Sequence, residues 1–245
     1  MRAALIAFAL AVPSLPASAQ AALADEVAPQ PANATASAFI GLFLDEKSLL
    51  DRVDRDVPAF YRASPKFKEL EADYPGITEY VIGRMLPGSR QRTLHRMQIM
   101  SGPMAAYLSA KMAEADLVQV LAFYRSPVGA KMIDLLRQMD GTPMLKNMAA
   151  KAGQASGEDL EKGAAATITA NGGFSSKFTR AELDEIVGFL ATDAGKKWQA
   201  IRPGFSAFMA DLSNKEAQTS LPAIRAEAAS AIADYERDHP KKVSL

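Results

Sequence analysis

Residues 112–139, MAEADLVQVLAFYRSPVGAKMIDLLRQM, return in edited form as residues 178–205, FTRAELDEIVGFLATDAGKKWQAIRPGF. The offset is 66 throughout and needs no gap: Leu117 matches Leu183, Phe123 matches Phe189, Gly129 matches Gly195, Lys131 matches Lys197, and Asp116 stands against Glu182. Repetition at a fixed spacing is the mark of one supersecondary unit used twice. The fold must therefore accommodate two similar units.

In the first copy Leu117, Val120, Leu121 and Tyr124 fall at i, i+3, i+4 and i+7, as do Leu183, Ile186, Val187 and Leu190 in the second. That period is a helical stripe. Ser126-Pro127 supplies a cap oxygen and a proline at the first helical position, and Thr192-Asp193 a cap with an acidic first turn, so a second helix starts at each point. Each unit reads as helix–corner–helix, with Thr179 and Glu182 adding a capping box to the second. Glycine in a first helical turn costs about 0.5–1 kcal/mol relative to alanine. Its return at Gly129 and Gly195 points to close packing of the second helix on the end of the first.

The run from Ala115 to Leu136 resembles the core motif of the bacterial "domain of unknown function 2059" family. That motif reads acidic-Leu, an apolar stripe, Phe-Tyr, Ser-Pro, Gly and Lys, met here by Asp116, Leu117, Phe123, Tyr124, Ser126, Pro127, Gly129 and Lys131. The second copy keeps Leu183, Phe189, Gly195 and Lys197 and lacks the Tyr and Ser-Pro. The resemblance implies an exported, all-helical protein. It brings no catalytic, cofactor or metal-binding residue with it.

Residues 1–19 read as a secretory signal: Arg2, the apolar run Ala3 to Val12, two prolines, then Ala17-Ser18-Ala19 before the cut. With no cysteine in the chain, a lipid anchor and disulfides are both excluded, and the fold rests on its core. The Ala/Pro-rich segment 20–36 is expected to be disordered. It is followed by an N-terminal helical region (37–110), the first unit (111–152), a Gly/Ala/Ser-rich, partly helical connector (153–177), the second unit with a C-terminal helix (178–238), and a fraying tail (239–245). Breaks or bends are expected at Pro58, Pro65, Pro75-Gly76, Pro87-Gly88, Gly102-Pro103 and Pro203-Gly204, the fourth and fifth within a long helical stretch from Ile77 to Lys111, with a fresh helix opening at Ser220-Leu-Pro222. No alternating β-branched run occurs, so the fold class is all-α, a compact helical array.

Without Arg2 the mature chain carries 27 basic and 28 acidic residues, which argues against nucleic-acid binding. The sharpest asymmetry lies between Tyr80 and Ala113, which hold no acid but include Arg84, Arg90, Arg92, His95 and Arg96. This stretch is a candidate patch for an anionic lipid, an anionic polymer or an acidic envelope partner. The competing and favoured reading sets it against the acidic segment Asp45 to Glu79. Nine of the eleven methionines lie between Met85 and Met148. Met97, Met100 and Met104 are spaced as Cu(I) ligands would be, yet core packing or a plastic docking groove is the commoner use. The alternating charges of Asp51 to Asp56 read as a solvated face.

No catalytic, cofactor or metal signature is present, and Lys131 and Lys197 read as solvated. The expectation is a periplasmic, non-enzymatic binding or interaction module of the cell envelope with no transmembrane segment in its mature chain. The alternative is an envelope hydrolase whose carboxylates the fold assembles. Secreted material should begin at Gln20. Its intact mass checks this, and a mass retaining residues 1–19 would overturn it.

Overall fold

The computed structural model describes residues 32–139, 154–173 and 175–241. Among these residues there is no strand, so the fold is all-α as the periodicity required. The signal segment, most of the Ala/Pro-rich stretch, the 140–153 end of the first unit with its Gly141-Thr-Pro143, and residues 242–245 lie outside the described residues.

Helix α1 (Ala34–Phe43) begins earlier than the Ala/Pro-rich composition suggests, because the Asn33 side chain accepts a hydrogen bond from Ala36 N at 2.7 Å. A capped first turn offsets a poor composition. Asp45 caps α2 (Glu46–Ala63) in the same way, and Pro65 opens α3 (Pro65–Asp73). After Tyr74-Pro75-Gly76 comes α4 (Ile77–Lys111), 35 residues in one run. Then follow α5 (Glu114–Arg125), α6 (Pro127–Gln138), α7 (Gly157–Ala170), a short 3-10 turn at Ser175–Lys177, and α8 (Arg180–Ala191). The last helix, α9 (Asp193–Asp238), runs for 46 residues.

Three apolar clusters form the core. The first joins α1, the end of α4, α5 and the start of α9 through Phe39, Leu108, Leu117, Val120, Trp198 and Phe205. The second lies between the two units around Phe123, Met132, Phe178 and Ile186. The third, at the far end, gathers Phe67, Ile77, Val81 and Met85 with Ala231 and Tyr235. Because α4 meets α9 at Tyr107 with Phe205 and again at Ile77 with Tyr235, the two long helices run antiparallel. Met85, Met100, Met104, Met112, Met132 and Met139 are all buried. Among the described residues the methionine-rich stretch is thus mostly core, with Met97 half-buried, while Met144 and Met148 lie outside the described residues.

The long helix expected from Ile77 to Lys111 is present, whereas the break expected at Pro58 and the fresh helix expected at Ser220 are absent. Pro58, Pro87, Pro103, Pro203 and Pro222 sit inside continuous helices, and Ser220 opens nothing. An interior proline removes one hydrogen bond and crowds the previous turn. Packing holds the helix together where the flanking turns are anchored, as at Pro103 between buried Met100 and Met104. The connector, expected to be partly helical, contains the helix α7 and ends it at Asn171. In α7, Ser156 and Asp159 close a capping box. A β-carbon on Gly157 would lie 2.7 Å from Ala207 N, so α7 meets the α9 backbone directly. Asn214 fixes the approach by bonding both Ala155 N, at 3.0 Å, and Ala155 O, at 2.7 Å. The tail is also anchored at its start, where His239 stacks on Tyr235 with ring centroids 3.9 Å apart.

The corners of the two units match. Ser126 ends α5 by donating its N–H to Phe123 O at 2.9 Å, and its Oγ accepts from Gly129 N at 3.2 Å to start α6. Thr192 does both for α8 and α9, at 3.0 Å to Phe189 O and 3.0 Å from Gly195 N. One residue thus ends one helix and begins the next, with φ, ψ of −65°, 161° at Ser126 and −67°, 161° at Thr192. So sharp a corner presses the first turn of the second helix onto the last turn of the first. A β-carbon on Gly129 would collide with the Phe123 carbonyl oxygen and lie 2.5 Å from Tyr124 Cα; on Gly195 it would collide with Phe189 O and lie 2.9 Å from Leu190 Cα. Both glycines are packing contacts. Despite alanine's better helix propensity, Gly129→Ala and Gly195→Ala should each destabilise by about 1–3 kcal/mol through overpacking. Denaturant midpoints check this, and a midpoint raised in either variant would overturn it.

Candidate functional site

The motif residues converge where the two units meet. Phe123 and Phe189, equivalent in the repeat, stack with centroids 4.0 Å apart and planes 3° apart. Lys131 Nζ reaches Glu182 Oε1 at 2.7 Å, and Lys197 Nζ reaches Asp116 Oδ2 at 2.6 Å. Each lysine therefore binds the acid of the other unit, at matching positions. Reciprocity of this kind defines an isologous contact about a two-fold axis, here within one chain and with the stacked phenyl rings on the axis. The lysines read as solvated are structural bridges, and the acids do more than favour their helix dipoles. The recurrence of both lysine and acid in the two copies was the signal for this pairing; spacing alone did not show that the contacts cross.

The symmetry is approximate. Glu182 also closes the capping box of α8, accepting from Thr179 N at 2.7 Å, and Lys131 stands over the Phe178 ring at 5.0 Å. The Lys131 ammonium and the Thr179 N–H hold the Glu182 carboxyl below the ordinary carboxylate range. Ser126 Oγ donates to Glu185 Oε1 at 3.1 Å. Pro127 is exposed at the start of α6 and Leu183 is half-buried beside the second core, whereas Leu117 is fully buried. Tyr124 packs edge-on against Phe39 at 5.3 Å and Phe43 at 5.5 Å, securing α1 to the first unit. Burial pushes its phenol up.

The acid-free stretch forms one edge of α4, and its partners come mainly from α9. Arg92 pairs with Glu227 at 2.8 Å, Arg96 with Glu216, and Arg84 with Asp234 at 3.9 Å. Only Arg90 meets the acidic N-terminal segment, at Asp54, 3.3 Å away. Neutralisation within the chain was expected, but its main source was not. Contacts between α4 and α9 are separated by more than a hundred residues and leave no spacing to read. The five residues also divide by role. Arg92 is half-buried at its interhelical tie, while Arg84, Arg90, His95 and Arg96 are exposed, Arg96 on a carboxylate, Glu216, that is itself nearly buried.

A cluster missed in the sequence lies in the run read as a solvated face. Asp56 is buried, and it receives Arg55 Nε at 2.8 Å and lies 3.7 Å from Arg52 Nε. Arg52 then donates to Leu136 O at 2.9 Å and Arg55 to Met139 O at 3.0 Å. These carbonyls end α6, where the helix dipole is negative and backbone acceptors lack helical donors. Arg137 returns the contact, donating to Leu42 O at 2.7 Å at the end of α1. The charged run is an anchor between α2 and the first unit.

A recess of about 420 Å³ opens at the far end, lined by Arg62, Phe67, Lys68, Glu71, Ala72, Thr78 and Glu79. Hydrogen bonds from Thr78 and Gly76 hold Glu71 below the usual carboxylate range, and the two-pronged contact of Arg62 does the same for Glu79. Both carboxyls are thus engaged by groups of the same chain. Among the described residues no group of three or more His, Asp or Glu is arranged to hold a metal ion. No described helix is long and apolar enough to cross a membrane.

These features define a helical array built on a duplicated corner motif. Residues 98–162 match the family described as "Uncharacterized protein conserved in bacteria (DUF2059)", the family that the first unit's motif resembles. The match takes in the last turns of α4, the first unit and the start of α7. No curated protein and no solved structure matches the chain.

The Lys131–Glu182 pair sets a pH dependence. A carboxyl whose folded pKa is lowered contributes stability above its unfolded value, about 4.3, and loses it as pH falls through the folded value. Wild type should therefore be more stable than Glu182→Gln near neutral pH, and the difference should shrink below about pH 4. Urea midpoints from pH 3 to 7 check this, and a difference constant across that range would remove the ionic contribution.

Proposed function

We propose that the protein is an exported, non-enzymatic binding module of the cell envelope that docks an anionic surface through the exposed basic edge of α4. The reading is carried by one observation. The lysines and acids of the repeated motif are paired with one another across the two-fold axis, which supports reading the duplicated unit as a packing device. The buried carboxylates Asp56 and Asp116 likewise hold cations of the same chain, which weighs against the hydrolase alternative. Export rests on residues 1–19.

Within the basic edge the loosely held groups are the ones suited to docking. Arg84, at 3.9 Å from Asp234, and Arg90, at 3.3 Å from Asp54, are about half exposed, with side-chain exposures of 58% and 48%. Exposed pairs of this kind contribute about 0–1 kcal/mol, so exchanging an internal carboxylate for an external phosphate or carboxylate costs little. Arg92, closer to its partner and less exposed, is not offered in this way.

The test uses the chain from Gln20 onward with vesicles of phosphatidylcholine and phosphatidylglycerol against vesicles of phosphatidylcholine alone. Binding to the anionic vesicles is expected at low salt and should fade as ionic strength rises toward about 0.5 M. Arg84→Glu combined with Arg90→Glu should weaken it several-fold. Binding that is absent or indifferent to salt would overturn the docking surface, and turnover of an envelope ester or glycoside lost in Glu71→Gln would favour the hydrolase.

A further inference from the structure

From Leu86 to Ile99 no residue of α4 is buried, and from Asp211 to Ser230 no residue of α9 is buried, although both helices have buried residues on either side. Among the described residues, the first and third apolar clusters are thus joined by a waist with no fully buried side chain, where only partly buried groups such as Leu212, Ile224 and Ala228 reach the clusters. What crosses it between α4 and α9 is charged: Arg92 to Glu227 at 2.8 Å, and Arg96 to Glu216. On the other flank α2 meets this stretch of α4 through Asp54 with Arg90, at 3.3 Å; Arg62 with Glu79, at 2.7 Å, lies beyond it in the far lobe.

All three helices carry an interior proline at this level. Pro222 of α9 lies between Glu216 and Glu227, Pro87 of α4 lies between Glu79 and Arg90, and Pro58 of α2 lies between Asp54 and Arg62. Each proline removes a hydrogen bond from its ladder, and interior prolines are where helices bend. Pro58 is itself buried and Pro87 follows buried Met85 by two residues, whereas Pro222 lies well inside a stretch with no buried residue. Local opening is easiest where few apolar contacts resist it, and Pro87 and Pro222 place two weakened ladders at the waist.

We infer that the waist is a hinge. The far lobe, made of α3 with the adjoining ends of α2, α4 and α9, swings against the lobe built on the paired units, and Arg92–Glu227 and Arg96–Glu216 form the clasp. Opening separates these partners and bares two arginines on α4 and two carboxylates on α9. The clasp is electrostatic, so salt loosens it, whereas the apolar clusters on either side respond to salt far less.

The chain has no cysteine, so spin-label pairs can be introduced without background. One pair, Glu69→Cys with Gln119→Cys, spans the waist between exposed positions of α3 and α5; a control pair, Gln119→Cys with Ala200→Cys, stays within the paired units. Pulsed electron resonance distances are measured on the chain from Gln20 onward, at low salt and at about 1 M, where screening reaches within roughly 3 Å. The spanning pair should show a broader distribution than the control, with a second distance growing at high salt and in Arg92→Ala with Glu227→Ala. Pro87→Ala with Pro222→Ala should narrow it. A spanning distribution as narrow as the control and unmoved by salt would overturn the hinge, and the salt titration requires no clasp variant to fold.

Discussion

The carbonyl oxygens of Phe123 and Phe189 occupy the space that a β-carbon on Gly129 or Gly195 would need, and the geometry of both units follows from that exclusion. With glycine there, one residue can end a helix and start the next. The angle between the two helices is then fixed by a cap hydrogen bond and by contact of backbone with backbone. A fixed angle makes the two units congruent. Congruence lets Phe123 meet Phe189 face to face, and lets each lysine reach the other unit's acid at 2.7 and 2.6 Å. A looser corner, with two or three linking residues, would leave the second helix free to take a range of angles, and the reciprocal contacts would not both form.

The paired units in turn position the rest. The exposed ends of α6 and α1 are covered by arginines, two from α2 and one from α6 itself. Trp198, at the start of α9, enters the first core against Phe39 at 5.2 Å. From there α9 runs back along α4 as far as Tyr235, whose hydroxyl donates to Pro75 O at 2.5 Å. Apolar area dominates the two ends of this antiparallel pair, and ion pairs dominate its middle.

Legibility in the sequence followed the range of the interaction. The corners were readable because a cap residue and a glycine lie within four residues of one another at each, with a proline between them at the first, and the close approach at Gly129 and Gly195 followed from the same few positions. Helix continuity through the prolines was not readable, since what restores a broken ladder is packing from residues far along the chain. The same limit hid where α7 packs: a partly helical connector was readable, but not that Gly157 rests on the backbone of Ala207. The role of Asp56 was also hidden: alternating charge looks solvated until the carbonyl ends of another helix arrive beside it. Arg84, Arg90, Arg92, His95 and Arg96 stood out as an acid-free run, but only the fold separates the arginines that tie helices from those that face outward.

The two copies differ where their neighbours differ, and the pattern bears on why the family match covers the first unit with its flanks and not the second. Residues that face across the two-fold axis are retained, the phenylalanine, the lysine and the acid, as is the glycine that closes each unit's own corner. Residues that face outward have changed. Tyr124, which holds Phe39 and Phe43 of α1, corresponds to Leu190; Leu121, buried in the first core, corresponds to Val187, which is 43% exposed. α1 packs along α5, so apolar bulk and a tyrosine are needed on that face. The part of the motif lost from the second copy is thus the part that would serve a helix packed like α1, and the part kept is the part that holds the two copies together.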